Sequence, residues 1–295
     1  MSDYILSCCS TVDLTAGYMK SRSIPFAKYH YEINGASHLD DMGVATSMEK
    51  FYKAMEEGAM TRTTQINVNE FLEYFESYLR TGKDIIHVTL SSGITGSYNS
   101  AHLAAEELLI KYPDRKIYIV DSLAASSGYG LLIDKMADLR DEGMSIDELY
   151  AWVYEHRLEV NHWFFTSDLT YLVRGGRVSR TAGFVGNVLN ICPLLNVNDK
   201  GELIPRMKVR PKKKVILEAF NKMKLLAADG EDYSGKCFIS HAAAYEDAKA
   251  LATFIENTFK KLDGGVQIFD IGTTIGAHTG PGTVALFFWG MKRDD

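Results

Sequence analysis

The most constraining stretch of this chain is a junction. An apolar run, Ile85-Ile86-His87-Val88, leads into Thr89-Leu90-Ser91-Ser92-Gly93-Ile94-Thr95-Gly96-Ser97-Tyr98, and an Ala/Leu/Glu-rich run follows from Ala101 to Leu109. The first run reads as a buried strand and the last as a helix, so a hydroxyl- and glycine-rich turn joins a strand end to a helix start. Backbone N–H groups at a helix start lack partners within the helix, and the helix dipole there favours negative charge. The turn is therefore suited to a carboxylate or a phosphate, with Ser92, Thr95 and Gly96 as candidate ligand residues. Ser and Thr in such a place also serve as ordinary helix caps.

The same strand–turn–helix unit recurs on either side. Tyr4 to Ser7 reads as a strand ending in Cys9-Ser10-Thr11-Val12-Asp13, and Lys116 to Asp121 as another ending at Ser122. Asn67-x-x-Glu70 and Ser145-x-x-Glu148 are capping-box patterns, each opening a helix. Ile24 to Ala27 reads as a strand, His30 to Met42 as polar and irregular, and Thr61 to Ile66 as a polar loop. Strands alternating with helices imply a parallel sheet, with the ligand crevice at the strands' carboxyl ends. Ser10, Thr95 and Ser122 all fall at such ends.

After about residue 160 the pattern changes to strands around a glycine turn, Asn198-Asp199-Lys200-Gly201, followed by mixed helices and strands. The expectation is an α/β protein of two lobes: an N-terminal parallel-sheet α/β lobe, residues 1–160, and a C-terminal α+β lobe, residues 161–295, with a ligand cleft between them.

Composition narrows the function. A net charge of −6 argues against nucleic acid as the main partner. No apolar run reaches the roughly 18 residues of a membrane span, and Met1-Ser2-Asp3-Tyr4 does not open a signal peptide. The four cysteines, Cys8, Cys9, Cys192 and Cys237, have neither zinc-site nor disulfide-framework spacing, and read as reduced core thiols of a cytoplasmic protein. P-loop, zinc-protease and hydrolase-elbow motifs are absent.

Two further stretches carry chemistry. Gly276-Ala277-His278-Thr279-Gly280-Pro281-Gly282 reads as a loop that lets backbone approach a ligand, with His278 a donor to an anion or simply a solvated histidine. Arg174, Arg177 and Arg180 recur every three residues, and Arg206, Lys208 and Arg210 share one face of a strand before Lys212-Lys213-Lys214. These basic runs are either a solvated face or a docking surface for an acidic or phosphate-bearing partner.

Taken in order, these motifs resemble those of the DegV family, the bacterial fatty-acid-binding proteins also called FakB. The resemblance spans about residues 3 to 292. It rests on Cys9-Ser10-Thr11-Val12-Asp13, Thr63-Thr64-Gln65, the Ser91–Ser97 turn, Gly175-Gly176-Arg177-Val178-Ser179, Pro193-Leu194-Leu195, Lys208-Val209-Arg210 and Gly276 to Gly282. It implies a carrier that is not itself an enzyme. One long-chain fatty acid would lie in a tunnel between the lobes, with no other cofactor and no metal. Thr63 and Thr95 match the hydroxyls that hold the carboxylate, His278 the histidine beside it, and Arg177 and Arg210 basic positions near the mouth. A separate fatty acid kinase would phosphorylate the bound carboxylate for phospholipid synthesis. The implied protein is cytoplasmic, without stable membrane insertion and with at most transient contact with a membrane surface. Against the family pattern, Cys9 replaces Asp, Thr95 replaces Ser, Ser97 replaces Thr and Cys192 replaces a common Lys.

Two other functions compete. One is an enzyme acting on a small carboxylate or phosphate ester with His278 as general acid/base. The other is a nucleic-acid or regulatory module using the Arg206–Lys214 run.

Overall fold

The structure, a computed structural model, describes residues 4–179 and 191–294; Arg180 lies outside them. In the first part of the chain, β1 (Tyr4–Cys9), α1 (Ala16–Ser21) and β2 (Phe26–Ala27) precede β3 (His30–Ile33), β4 (Ala36–Leu39), α2 (Met48–Glu56) and β5 (Thr61–Thr64). Next come α3 (Val68–Leu79), β6 (Asp84–Thr89), α4 (Ser97–Lys111), β7 (Ile117–Asp121), α5 (Ser126–Asp141) and α6 (Ile146–His156). The remainder holds β8 (Val160–Phe165), α7 (Thr170–Arg174), β9 (Cys192–Val197), β10 (Leu203–Val209), α8 (Lys212–Leu226), β11 (Cys237–Ala242), α9 (Tyr245–Thr258), β12 (Val266–Asp270), α10 (Thr273–Thr279) and β13 (Thr283–Trp289).

The capping boxes form as their spacing dictates. Asn67 and Glu70 open α3, and Ser145 and Glu148 open α6, each with side chain and backbone bonded reciprocally. The strand–turn–helix units give a parallel sheet ordered β2-β1-β6-β7. Every strand of the second sheet begins at Val160 or beyond; its order is β10-β9-β8-β13-β11-β12, antiparallel except for β11 with β12.

Helix α5 lies between the two sheets and is buried almost all round, through Leu131, Leu132, Ile133, Met136 and Ala137. Apolar residues on every side suit a helix with no solvent face. They pack with Leu6, Cys8, Ile86 and Val88 of one sheet and with Phe164, Leu195, Phe238, Ala285 and Phe287 of the other. Buried Asp134 of α5 accepts from Tyr18 Oη (2.6 Å) and Arg22 Nη1 (3.0 Å) on one side and Lys236 Nζ (2.5 Å) on the other. Cys8 joins this core and its neighbour Cys9 the core under α3 and α4, because successive strand residues face opposite ways. All four cysteines are buried and free.

Two stretches read as irregular are ordered. His30 to Leu39 is a hairpin, and Thr61–Thr64 is a strand, giving an antiparallel sheet β4-β3-β5. The hairpin turns on Asn34-Gly35, both at positive φ (50° and 82°), the strongest short hairpin signal there is. Thr61 to Thr64 is polar yet β-prone, and pairing with β3 decides its state.

The parallel sheet meets the mixed sheet where two turns touch. Ser91 Oγ donates to Gly201 O (2.8 Å) in the turn between β9 and β10. Gly201 has φ of 75°, and a Cβ there would sit 1.9 Å from Ser91 Oγ. Gly201→Ala should destabilise the fold by about 2 kcal/mol or more, read in urea as a lower midpoint at unchanged slope. An unchanged midpoint would show that the two turns do not meet this closely.

Candidate functional site

Where the carboxyl edge of the parallel sheet faces the mixed sheet lies a cavity of about 380 Å³, within the range of small-molecule sites. The turn after β6 contributes Leu90, Ile94, Thr95 and Gly96, and the turn after β7 Ala125 and Ser126. From the mixed sheet come alternate residues of one face, His162 and Phe164 on β8, Thr283, Ala285 and Phe287 on β13. Val197, Leu203 and Leu172 extend this wall with aliphatic side chains.

Polar groups concentrate where β5 and α10 reach the cavity. Thr63 Oγ1 and His278 Nε2 lie 2.7 Å apart, although 215 residues separate them in sequence. Arg177 lines the same region, and its Nη1 donates to Gly175 O (2.5 Å). A Cβ on Gly175 would fall 2.3 Å from His278 Nδ1, so the Gly-Gly-Arg element gives the imidazole its room. Burial, reinforced by the Arg177 cation, pushes the imidazole down to about 4, so His278 is neutral near pH 7. Burial also lowers the Arg177 guanidinium, which nevertheless keeps its charge.

The glycine stretch expected as a loop is largely helix: α10 runs through Thr279 and carries His278 in its last turn. Anchors at its start explain this. Gly272 N–H donates to Asp13 Oδ1 (2.9 Å), and Thr274 Oγ1 to Asp40 Oδ2 (2.6 Å). Tyr52 Oη donates to Ile271 O (2.6 Å) and packs directly on Gly276. Burial pushes the Asp13 carboxyl well up, against the opposing bonds from Ser126 and Gly272, and raises Asp40 in the same way.

The remaining candidates divide. Thr63, Thr95, Gly96, His278 and Arg177 converge on the cavity. Ser10, Ser92 and Ser122 do not line it. Ser10 Oγ accepts from Tyr29 N–H (3.2 Å), Ser92 N–H donates to Asp121 Oδ1 (3.0 Å), and Ser122 Oγ closes a local turn with Ala124. The Ser10 and Ser122 hydroxyls are used in shaping the turns, whereas Ser92 bonds through its backbone N–H and is exposed outside the cavity. Arg174 and Arg210 are exposed and outside the cavity, Arg174 lying over the Tyr171 ring at 5.5 Å.

Sequence reasoning passed over Tyr29, Ser126, Thr274 and Thr279, all on the cavity wall. Tyr29 follows β2 at its carboxyl end, so the strand-end rule could have found it. Among the described residues, no group of three His, Cys, Asp or Glu side chains is placed to hold a metal, and no helix is long and apolar enough to cross a membrane.

Because folding depresses the His278 pKa, the unfolded chain binds more protons between about pH 4 and 6.5. Its contribution to stability is present above pH 6.5 and lost as pH falls towards 4. Urea unfolding of wild type and His278→Gln across this window should show the wild type losing ground relative to the variant at low pH. A pH-independent difference would mean that His278 is not desolvated.

The DegV family profile, whose description is an uncharacterised protein family, matches residues 9–290. A DegV domain-containing protein of Clostridium perfringens is 37% identical over 294 residues, covering 100% of both chains. Among solved structures, a DegV lipid binding protein of Thermotoga maritima superposes with a TM-score of 0.85 at 28% identity, covering 100% of both chains. A second Thermotoga maritima protein, whose structure revealed fatty acid binding function, gives a TM-score of 0.82 at 27% identity, over 99% of this chain and 100% of that one.

Proposed function

The chain belongs to the DegV family, and on that footing we propose that it binds one long-chain fatty acid in the cavity between its lobes, which divide near residue 160. The carboxylate is held by the hydroxyls of Thr63 and Thr95, with Gly96, His278 and Arg177 beside it. The protein is a carrier, presenting the carboxylate to a separate fatty acid kinase for acyl-phosphate formation.

The observation that carries this reading is the polarity of the cavity. Hydroxyls, an imidazole and a guanidinium gather at the β5–α10 side, and the rest of the wall is mainly aliphatic and aromatic, interrupted by Ser126, His162 and Thr283. A carboxylate can only accept hydrogen bonds, so it needs donors. In the tautomer with hydrogen on Nε2, neutral His278 donates to Thr63 Oγ1 and leaves the Thr63 proton for the ligand. The tail supplies most of the affinity. At roughly 0.8 kcal/mol per methylene, about 15 methylenes offer on the order of 12 kcal/mol before ordering costs. The sequence resemblance supports the kinase role, and exposed Arg174 and Arg210 suit docking of an acidic surface.

Thr63 and His278 also have the spacing of a nucleophile and its base. Ester turnover by the purified protein, abolished by His278→Ala, would replace the carrier reading.

Denaturing extraction followed by mass spectrometry should release a stoichiometric long-chain fatty acid. In Thr63→Val/Thr95→Val, affinity for added fatty acid should fall on the order of a hundredfold while the fold survives. Undiminished affinity would remove the head-group assignment. A protein that neither carries nor takes up fatty acid would end the reading.

A further inference from the structure

Tyr29 lines the cavity beside the head-group residues and is bonded from both ends. Its N–H donates to Ser10 Oγ, and its phenol donates to Ser97 Oγ at 2.6 Å while lying 3.5 Å from Thr95 Oγ1. Ser97 reaches Thr95 twice: its N–H is 3.3 Å from Thr95 Oγ1, and the two hydroxyl oxygens are 3.3 Å apart. Tyr29 and Ser97 are almost wholly buried, whereas Thr95 is only partly covered and lines the cavity. Burial pushes the Tyr29 phenol far up, so it stays a proton donor.

A hydroxyl has one proton and two lone pairs. The Tyr29 proton takes the short path to Ser97. The Ser97 oxygen, now an acceptor, turns its own proton onto Thr95 Oγ1. With the Ser97 N–H as well, Thr95 Oγ1 accepts two hydrogen bonds. Its own proton is then the hydrogen-bonding capacity left over, on the residue that faces the cavity.

We infer that Tyr29 is a positioning residue: acting through Ser97, it fixes the Thr95 hydroxyl as a donor into the cavity and so selects a head group that only accepts, a carboxylate, over one that can also donate. The inference rests on the fatty-acid reading of the cavity. The distinction is chemical. An alcohol head group can turn its own O–H towards a Thr95 hydroxyl of either orientation, and a carboxylate cannot.

The test is the ratio of affinities for a fatty acid and for the primary alcohol of the same chain length, at a pH where the acid is ionised. It is measured on delipidated wild type, Tyr29→Phe and Ser97→Ala, with thermal melts alongside. Wild type should prefer the acid, and each variant should lower the acid-to-alcohol ratio by roughly tenfold, mainly through weaker acid binding. A ratio that stays at the wild-type value in both variants overturns the inference. So does an equal loss for acid and alcohol, which is what a purely structural role gives. Wild type that takes up neither ligand sinks the fatty-acid reading, and this inference with it.

Discussion

Two turns can meet this closely only where one of them is bare at each point of contact, and the position of the cavity depends on this. The turn after β6 meets the β9–β10 turn at two glycines: Gly93 lies against the backbone of Lys200 and Gly201, and Gly201 lies against the Ser91 side chain. Buried Arg293 holds the second turn from behind, donating to Asn198 O (2.6 Å) and Val197 O (3.3 Å), and it also reaches Leu123 O (2.8 Å) after β7. One guanidinium thereby ties both sheets to the same locality. Loops would ordinarily move at such a junction; here Ile94, Thr95 and Gly96 start from a fixed point.

Helix α5 solves the complementary problem of keeping the sheets apart. It fills the space beside the cavity with Leu131, Leu132, Ile133 and Met136, and its N-terminal end, at Ser126, opens onto the cavity wall. Ser126 has φ of 54°, outside the region a serine ordinarily occupies, and its hydroxyl donates to Asp13. Asp13 in turn holds the start of α10. The backbone outlier therefore lies on the path linking α5 to the helix that carries His278, as expected where surrounding structure over-determines a strained residue.

Local chemistry was legible where the local sequence decides the outcome. Asn67/Glu70 and Ser145/Glu148 cap helices because three-residue spacing is enough, and the turn after β6 declared itself through Ser, Thr and Gly between an apolar run and an Ala-rich one. What failed depends on distant partners. Thr61 to Thr64 becomes a strand only because β3 is there to pair with it, and Asn34-Gly35 was the neglected cue that β3 and β4 exist. Gly276 looked like a loop residue, yet its bare Cα is used for packing beneath Tyr52, more than 200 positions earlier. Ser10, Ser92 and Ser122 lie at strand ends, yet which hydroxyls face the cavity is set by neighbours that spacing does not reveal: Ser10 and Ser122 bond within their surroundings, and Ser92 is exposed outside it.

That last distinction separates the roles of head and tail on the fatty-acid reading. The apolar wall supplies most of the favourable free energy but tells a carboxylate little about which way to lie. The donors supply less net energy, because each replaces a bond the ligand already makes to water. They matter because an ionised group left without partners in a buried site costs far more than any one bond gains. Among the described residues the cavity is lined by the Arg177 guanidinium, the neutral imidazoles of His162 and His278 and several hydroxyls, which meets that requirement without concentrating fixed charge. Its grip on the head group is directional rather than strong, which is what a carrier needs if another protein is to reach the same carboxylate.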